Sequence, residues 1–179
     1  MAEPRLMGLI TNMMEMAEEL RRSKRQEYAM SFMMIDIDDF KQYNDRNGHQ
    51  AGDLALEMTA QCLKSALRGA DIASRYGGEE FCILLPQTTV SEAGVIAERM
   101  RQRVAETDYP HGKSQPLGSV SISIGISTFA RQIDTAESVI AAADRALYSA
   151  KSLGKNQVFP NSDLQSDTSA TSHVPKGTK

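Results

Sequence analysis

Tryptophan is missing from these 179 residues, and cysteine (two), histidine (three) and proline (six) are scarce. Cys62 and Cys82 both sit inside apolar segments; they cannot build a disulfide scaffold and read as reduced core thiols. His49, His111 and His173 are scattered, without the spacing a zinc site needs. No apolar run approaches the ~20 residues that span a bilayer, and no signal peptide is visible. The segment is therefore expected to be soluble and cytoplasmic, without membrane contact. A basic excess is missing too. The net charge is −3, which argues against a general binder of nucleic acid polymers while leaving room for a local basic pocket. With 41% apolar and 24% charged residues, the chain has ordinary globular composition and length for one domain with a core.

What is present is a succession of apolar patterns. Residues 5–28 read as a helix, with Leu6, Leu9, Met13, Met16 and Leu20 on one seam and Glu18, Glu19, Arg21 and Arg22 off it. Two heptads are too few for a coiled coil; the helix either packs on its own domain or is the stub of a signalling helix from an upstream sensor. Residues 31–35 form a continuous apolar run, expected for a central strand covered on both faces. It ends in Asp36, Ile37, Asp38 and Asp39. A short helix over about 39–46 stops at Asn47-Gly48, and a second runs over about 51–67. Strands over 71–75 and 81–85 are joined through Gly77-Gly78, read as a tight hairpin whose glycines both take positive φ. Residues 90–106 are an amphipathic helix, with Thr89 as N-cap and Glu92 completing a capping box. Residues 119–127 alternate Val120, Ile122, Ile124 and Ile126 with serines and Gly125, the pattern of a half-buried strand with a close neighbour on its small side. An alanine-rich helix over 136–153 closes at Gly154, and residues 157–159 read as a last short strand. From Pro160 onward almost nothing can be buried, so 160–179 reads as a disordered tail. The order β-α-α-β-β-α-β-α-β fits an α/β (α+β) sandwich of the ferredoxin-like or palm type, a mixed sheet flanked by helices.

Three features carry chemistry. Acids clustered at the end of a core strand are unfavourable unless compensated, and a divalent cation does that well; helix capping is the plainer explanation. Asp38 is placed to cap the short helix, leaving amides near Asp39, Phe40 and Lys41 for phosphate oxygens. The hairpin puts Glu79 and Glu80 straight after two residues without side chains, where a backbone can approach a base or phosphate. Lys151 and Lys155 end the last helix, where lysines also satisfy the helix dipole.

Together the segments RYGGEEF (75–81), MMIDIDDFKQYNDRNGHQAGD (33–53) and ADRALYSAKSLGKN (143–156) resemble the GGDEF family of diguanylate cyclases, in that family's order and spacing. The resemblance covers roughly residues 30–159. It implies a catalytic domain over 29–159 that condenses two GTP molecules into cyclic di-GMP and pyrophosphate. Asp36 and Glu79, with the backbone carbonyl of Ile37, correspond to ligands of two Mg²⁺ or Mn²⁺ ions. Glu80 is left a supporting or proton-handling role. Asn44 and Asp53 match readers of the guanine edge. The amides of Asp39 and Phe40 and the side chains of Lys41, Lys151 and Lys155 fall where the family holds the triphosphate, with Gly77 and Gly78 against the nucleotide. Each domain holds one GTP and the product is two-fold symmetric, so the resemblance implies a homodimer. Arg68-Gly69-Ala70-Asp71 resembles the family's RxxD inhibitory motif, with Arg99 as a further arginine. These residues imply feedback binding of the product.

Two features depart from the family pattern. Residues 4–9 are at best a trace of its opening DxLTxLxNR block, which leaves Arg75 without the aspartate it usually meets. Lys155 stands where arginine is commoner, so charge survives and a bidentate fork is lost. Two rivals follow: a degenerate domain that binds cyclic di-GMP as an effector, and another palm-type nucleotidyltransferase or cyclase.

Overall fold

The computed structural model describes residues 4–129 and 135–161, with side chains from residue 14 onward. Helix α1 (Pro4–Gln26) precedes the central strand β1 (Met30–Ile37). Helices α2 (Phe40–Asn47) and α3 (His49–Lys64) follow, then the hairpin β2 (Ile72–Arg75) and β3 (Glu80–Pro86). Helix α4 (Val90–Glu106), a 3₁₀ turn (Gly112–Ser114), β4 (Ile122–Phe129), α5 (Ala136–Ser152) and β5 (Val158–Pro160) complete the described chain. The strands form one mixed sheet in the order β2-β3-β1-β4-β5, antiparallel except for the β4–β5 pair.

Residue parity along β1 divides the molecule. Met33, Ile35 and Ile37 face a core built with α2, α3 and α4. Met30, Phe32 and Met34 face a second core built with α1 and α5. Alternate side chains of a strand point to opposite faces, so Asp36 continues the second set and emerges under α5. Its neighbours there are small: β4 places Ser127, Gly125 and Ser123 opposite Phe32, Met34 and Asp36. A Cβ on Gly125 would lie 2.1 Å from the Ala143 carbonyl oxygen and 2.2 Å from the Leu147 amide. The bare glycine therefore sets how closely α5 lies on the sheet. β4 is buried on both faces rather than half-buried, because α4 covers its isoleucines while α5 covers its small residues.

Two expected caps behave differently. Thr89 and Glu92 form the reciprocal capping box of α4. Asp38 does not cap α2. That position belongs to Asp39, in the left-handed region at φ 54° and without a side-chain capping bond. Helix α1 meets the domain through buried Met16 and Leu20, while the side chains of Leu6, Leu9 and Met13 lie outside the described residues. Its junction with β1 turns at Glu27 (φ 55°) and is tied by Tyr28, whose hydroxyl donates to the buried Glu19 carboxylate at 2.5 Å. At the other end Pro160 is still in β5 and the Asn161 amide donates to the Ile126 carbonyl; the tail expected beyond them lies outside the described residues.

Candidate active site

Asp36 is one residue from the end of β1 and only 6% exposed. Its register partner on β3 is Glu80, and the next amide, that of Ile37, donates to the Glu79 carbonyl at 3.3 Å. The backbones of both hairpin acids thus lie beside the end of the strand that carries Asp36. Lys151, from the last turn of α5, completes the group with Nζ 2.7 Å from Asp36 Oδ2. Burial pushes the Asp36 carboxyl up to about 6; Lys151 opposes the shift, and the charges of Glu79 and Glu80 add to it. An acid held so uneasily gains much from a cation of higher charge than lysine. Ile37 is buried on the opposite face, so only its backbone could contribute a ligand oxygen.

The β2–β3 turn is wider than a two-residue hairpin, and neither Gly77 nor Gly78 has a left-handed φ. The amides of Tyr76 and Gly77 both donate to the Glu80 carbonyl, at 2.8 and 3.2 Å, closing the loop without that geometry. A Cβ at 77 would stand 2.7 Å from Glu80 Oε2, the end of a flexible side chain that can yield, and nothing lies within 4 Å at 78. Arg75 finds a partner inside the turn. Its Nε and Nη2 donate to the Gly78 carbonyl at 3.0 and 2.6 Å.

Beyond Asp36, the chain turns through Asp39 into α2. Phe40 is buried and stacks on Tyr43, with ring centroids 6.3 Å apart, and Lys41 is exposed. The first amides of a helix lack intrahelical partners, so this turn presents donors at the end of the sheet. Lys155 Nζ sits 2.6 Å from Asp39 Oδ1. Asn44 leans onto α3 at Gly52, where an added Cβ would fall 1.7 Å from Asn44 Oδ1. That oxygen is buried and has no partner. Asp53, the next residue, is exposed. Gly52 is a contributor the sequence reading missed, although a glycine inside a helical pattern was the available signal.

Asp38 was also misread. It is 5% exposed and accepts hydrogen bonds from Ser121 Oγ and Ser123 Oγ, each at 2.7 Å, and from the Asn156 amide at 2.9 Å. Ser121 and Ser123, which the strand pattern presents only as small residues, act here as donors.

Arg68, Asp71 and Arg99 lie apart from this cluster. The Arg68 amide donates to Asp71 Oδ2 at 2.7 Å, leaving the exposed guanidinium outside that bond. Arg99 reaches the Ala66 carbonyl at 2.8 Å, and both arginines line one cleft with Arg103.

Among the described residues no three His, Cys, Asp or Glu side chains cluster into a ready metal cage. Two carboxylates and a backbone oxygen nevertheless suit Mg²⁺, a hard ion that keeps waters and substrate oxygens in its shell. The site residues therefore fit such an ion.

Fold and site together define an α/β domain that gathers acids and lysines at the end of its central strand. The family model described as "Diguanylate cyclase, GGDEF domain" matches residues 12–157, and the chain belongs to that family. Diguanylate cyclase A of Treponema denticola is 42% identical over 148 residues, 83% of this chain and 39% of that protein. Response regulator PleD of Caulobacter vibrioides is 41% identical over 129 residues, 72% of this chain and 28% of that protein. The chain thus spans well under half the length of these curated relatives. The active GGEEF domain of a diguanylate cyclase from Vibrio cholerae matches with a TM-score of 0.76 and 31% identity, covering 83% of this chain and 93% of that one. The GGDEF domain of DgcB from Caulobacter crescentus, in complex with c-di-GMP, matches with a TM-score of 0.76 and 28% identity, covering 82% and 86%.

Proposed function

We propose that this domain condenses two GTP molecules into cyclic di-GMP, releasing two pyrophosphates, within a homodimer in which each subunit presents one GTP. The observation that carries the reading is the buried Asp36, faced by Glu79 and Glu80 and countered by Lys151. Two divalent ions, held by Asp36, Glu79 and the Ile37 carbonyl, would stabilise the attacking and leaving oxygens. Lys151 and Lys155 now neutralise Asp36 and Asp39, and both can turn to triphosphate oxygens. The amides of Asp39 and Phe40 and the Lys41 ammonium add donors at the start of α2. Asn44, with an unpaired buried oxygen, and Asp53 offer acceptors to the N–H edge of guanine. Glu80 is the carboxylate left to receive the proton as the 3′-oxygen bonds to the α-phosphorus of the facing GTP.

Arg68, Asp71 and Arg99 form a separate product site in this reading. Guanidinium forks suit both phosphate oxygens and the guanine edge, and a bound product would restrain the domains from meeting. A cytoplasmic setting, within a larger sensor protein, accords with the nucleotide substrate.

Incubation with GTP or with ATP in the presence of Mg²⁺, followed by product separation, tests the proposal. Cyclic di-GMP from GTP alone, with specific activity falling on dilution, is the expected result. Turnover of ATP would favour a different nucleotidyltransferase. No turnover at any protein concentration, with tight cyclic di-GMP binding, would replace the catalyst with an effector.

A further inference from the structure

We propose that Asp38 is the positioning residue of the phosphate site: it holds the turn between α5 and β5 so that Lys155 points at the nucleotide, beside Lys151 from the last turn of α5. The inference rests on the nucleotide reading above and assigns Asp38 a role other than metal binding.

The turn needs holding. Lys155 and Asn156 are consecutive residues in the left-handed region, at φ 63° and 48°. Side chains with a Cβ resist that conformation, so two in succession persist only where the surroundings impose it. Three contacts impose it here. The Lys155 amide donates to the Ala150 carbonyl at 3.1 Å, and the Asn156 amide donates to Asp38 Oδ2 at 2.9 Å. Asn156 Oδ1 accepts from Arg101 Nη1 at 2.7 Å, and Glu98 grips that guanidinium at 2.6 and 2.9 Å.

Asp38 ties the backbone of this turn to the end of the strand that carries Asp36, beside the Lys155–Asp39 ion pair. Its carboxylate is filled by two hydroxyls of the β4 segment and one amide of the turn, while its own amide donates to the Ser121 carbonyl at 2.9 Å. The end of β1, the start of β4 and the lysine turn therefore move as one piece. Lysine is a flexible point charge without the preset fork of arginine. Its direction has to come from its backbone, and at 155 that backbone is the one Asp38 restrains. One residue, Ile37, separates Asp36 from Asp38, so the same strand end would carry the metal ligand and set Lys155 against it.

The test compares Asp38→Asn with the wild type for binding of GTP and of guanosine, both with Mg²⁺. The asparagine keeps the size and one acceptor oxygen but loses a charge-assisted bond, roughly tenfold in affinity. Expected are GTP affinity lower by about tenfold, guanosine affinity within about twofold, and KM for GTP raised by a larger factor than kcat falls. Amide exchange at Asn156 should accelerate more than in α3. Equal loss of GTP and guanosine, or unchanged GTP binding, would overturn the proposal. If Asp38→Asn fails to fold, Ser123→Ala removes one donor to the carboxylate and should give the same pattern at about threefold. Lys151→Met is the control. Should it leave GTP binding intact, the nucleotide reading itself falls, whereas loss of binding there with none in Asp38→Asn defeats the positioning role alone.

Discussion

The two faces of the sheet share the same strands and do opposite work. Beneath α3 and α4 the sheet offers Met33, Ile35, Ile37, Ile83, Leu85, Ile122, Ile124 and Ile126, a bulky surface that buries area and little else. Beneath α5 it offers Ser123, Gly125 and Ser127 from β4 and ends in Asp36. Small residues there let a helix come close enough for Lys151 to reach a carboxylate on the central strand. The difference teaches that residue parity along one strand gives one face wholly to apolar packing and lets the other combine a second core with a buried charge at its end.

The sharpest division is expected from Glu79→Gln. It should lower turnover by about three orders of magnitude or more, since a neutral amide is a poor ligand for a hard cation. Its thermal midpoint should stay near that of the wild type. Retained activity would remove Glu79 from the metal site. On the other face, Ile35→Ala should destabilise by roughly 2–5 kcal/mol, read by urea unfolding, with the affinity of the remaining folded protein for GTP preserved. Gly125→Ala tests the boundary between faces. Its methyl meets helix backbone rather than a yielding side chain, so about 3 kcal/mol of stability should be lost. KM for GTP should rise with it, because α5 carries Lys151.

Asp36 separates the faces by pH. Its folded pKa of about 6 stands above the ordinary 3.8, so the folded state binds the proton more tightly than the unfolded chain. The cost of holding this group ionised is fully present above pH 6 and is relieved as pH falls from 6 toward 4. Mg²⁺ affinity should fall over the same interval, because the protonated acid is a poor ligand. Opposite trends in metal-free melting temperature and in Mg²⁺ titration would confirm the assignment, and parallel trends would sink it. The smallest effect belongs to Thr89→Ala, which opens the α4 capping box far from the carboxylates and should cost about 1 kcal/mol in unfolding experiments without changing KM.

Much of this was legible in the residues. The element order, the central strand and the α4 cap follow from apolar period and capping chemistry, which act locally. The convergence of Asp36 with Glu79, Glu80 and Lys151 was legible through family resemblance, since no local rule brings positions 36, 79 and 151 together. Asp38 was illegible for a different reason. An acid before a short helix has an attractive local partner in the helix amides, and only the fold reveals Ser121, Ser123 and Asn156 waiting nearby. The hairpin failed similarly: two adjacent glycines suggest a tight turn, yet the paired donors to the Glu80 carbonyl close a wider one.

The corner between α1 and β1 has a mechanical meaning. A hydroxyl-to-carboxylate bond with the acid excluded from water cannot slide as packed methyl groups can. It either holds or breaks. Displacement of α1 would thus be passed through Tyr28 to the chain two residues before β1, the strand whose other end carries Asp36.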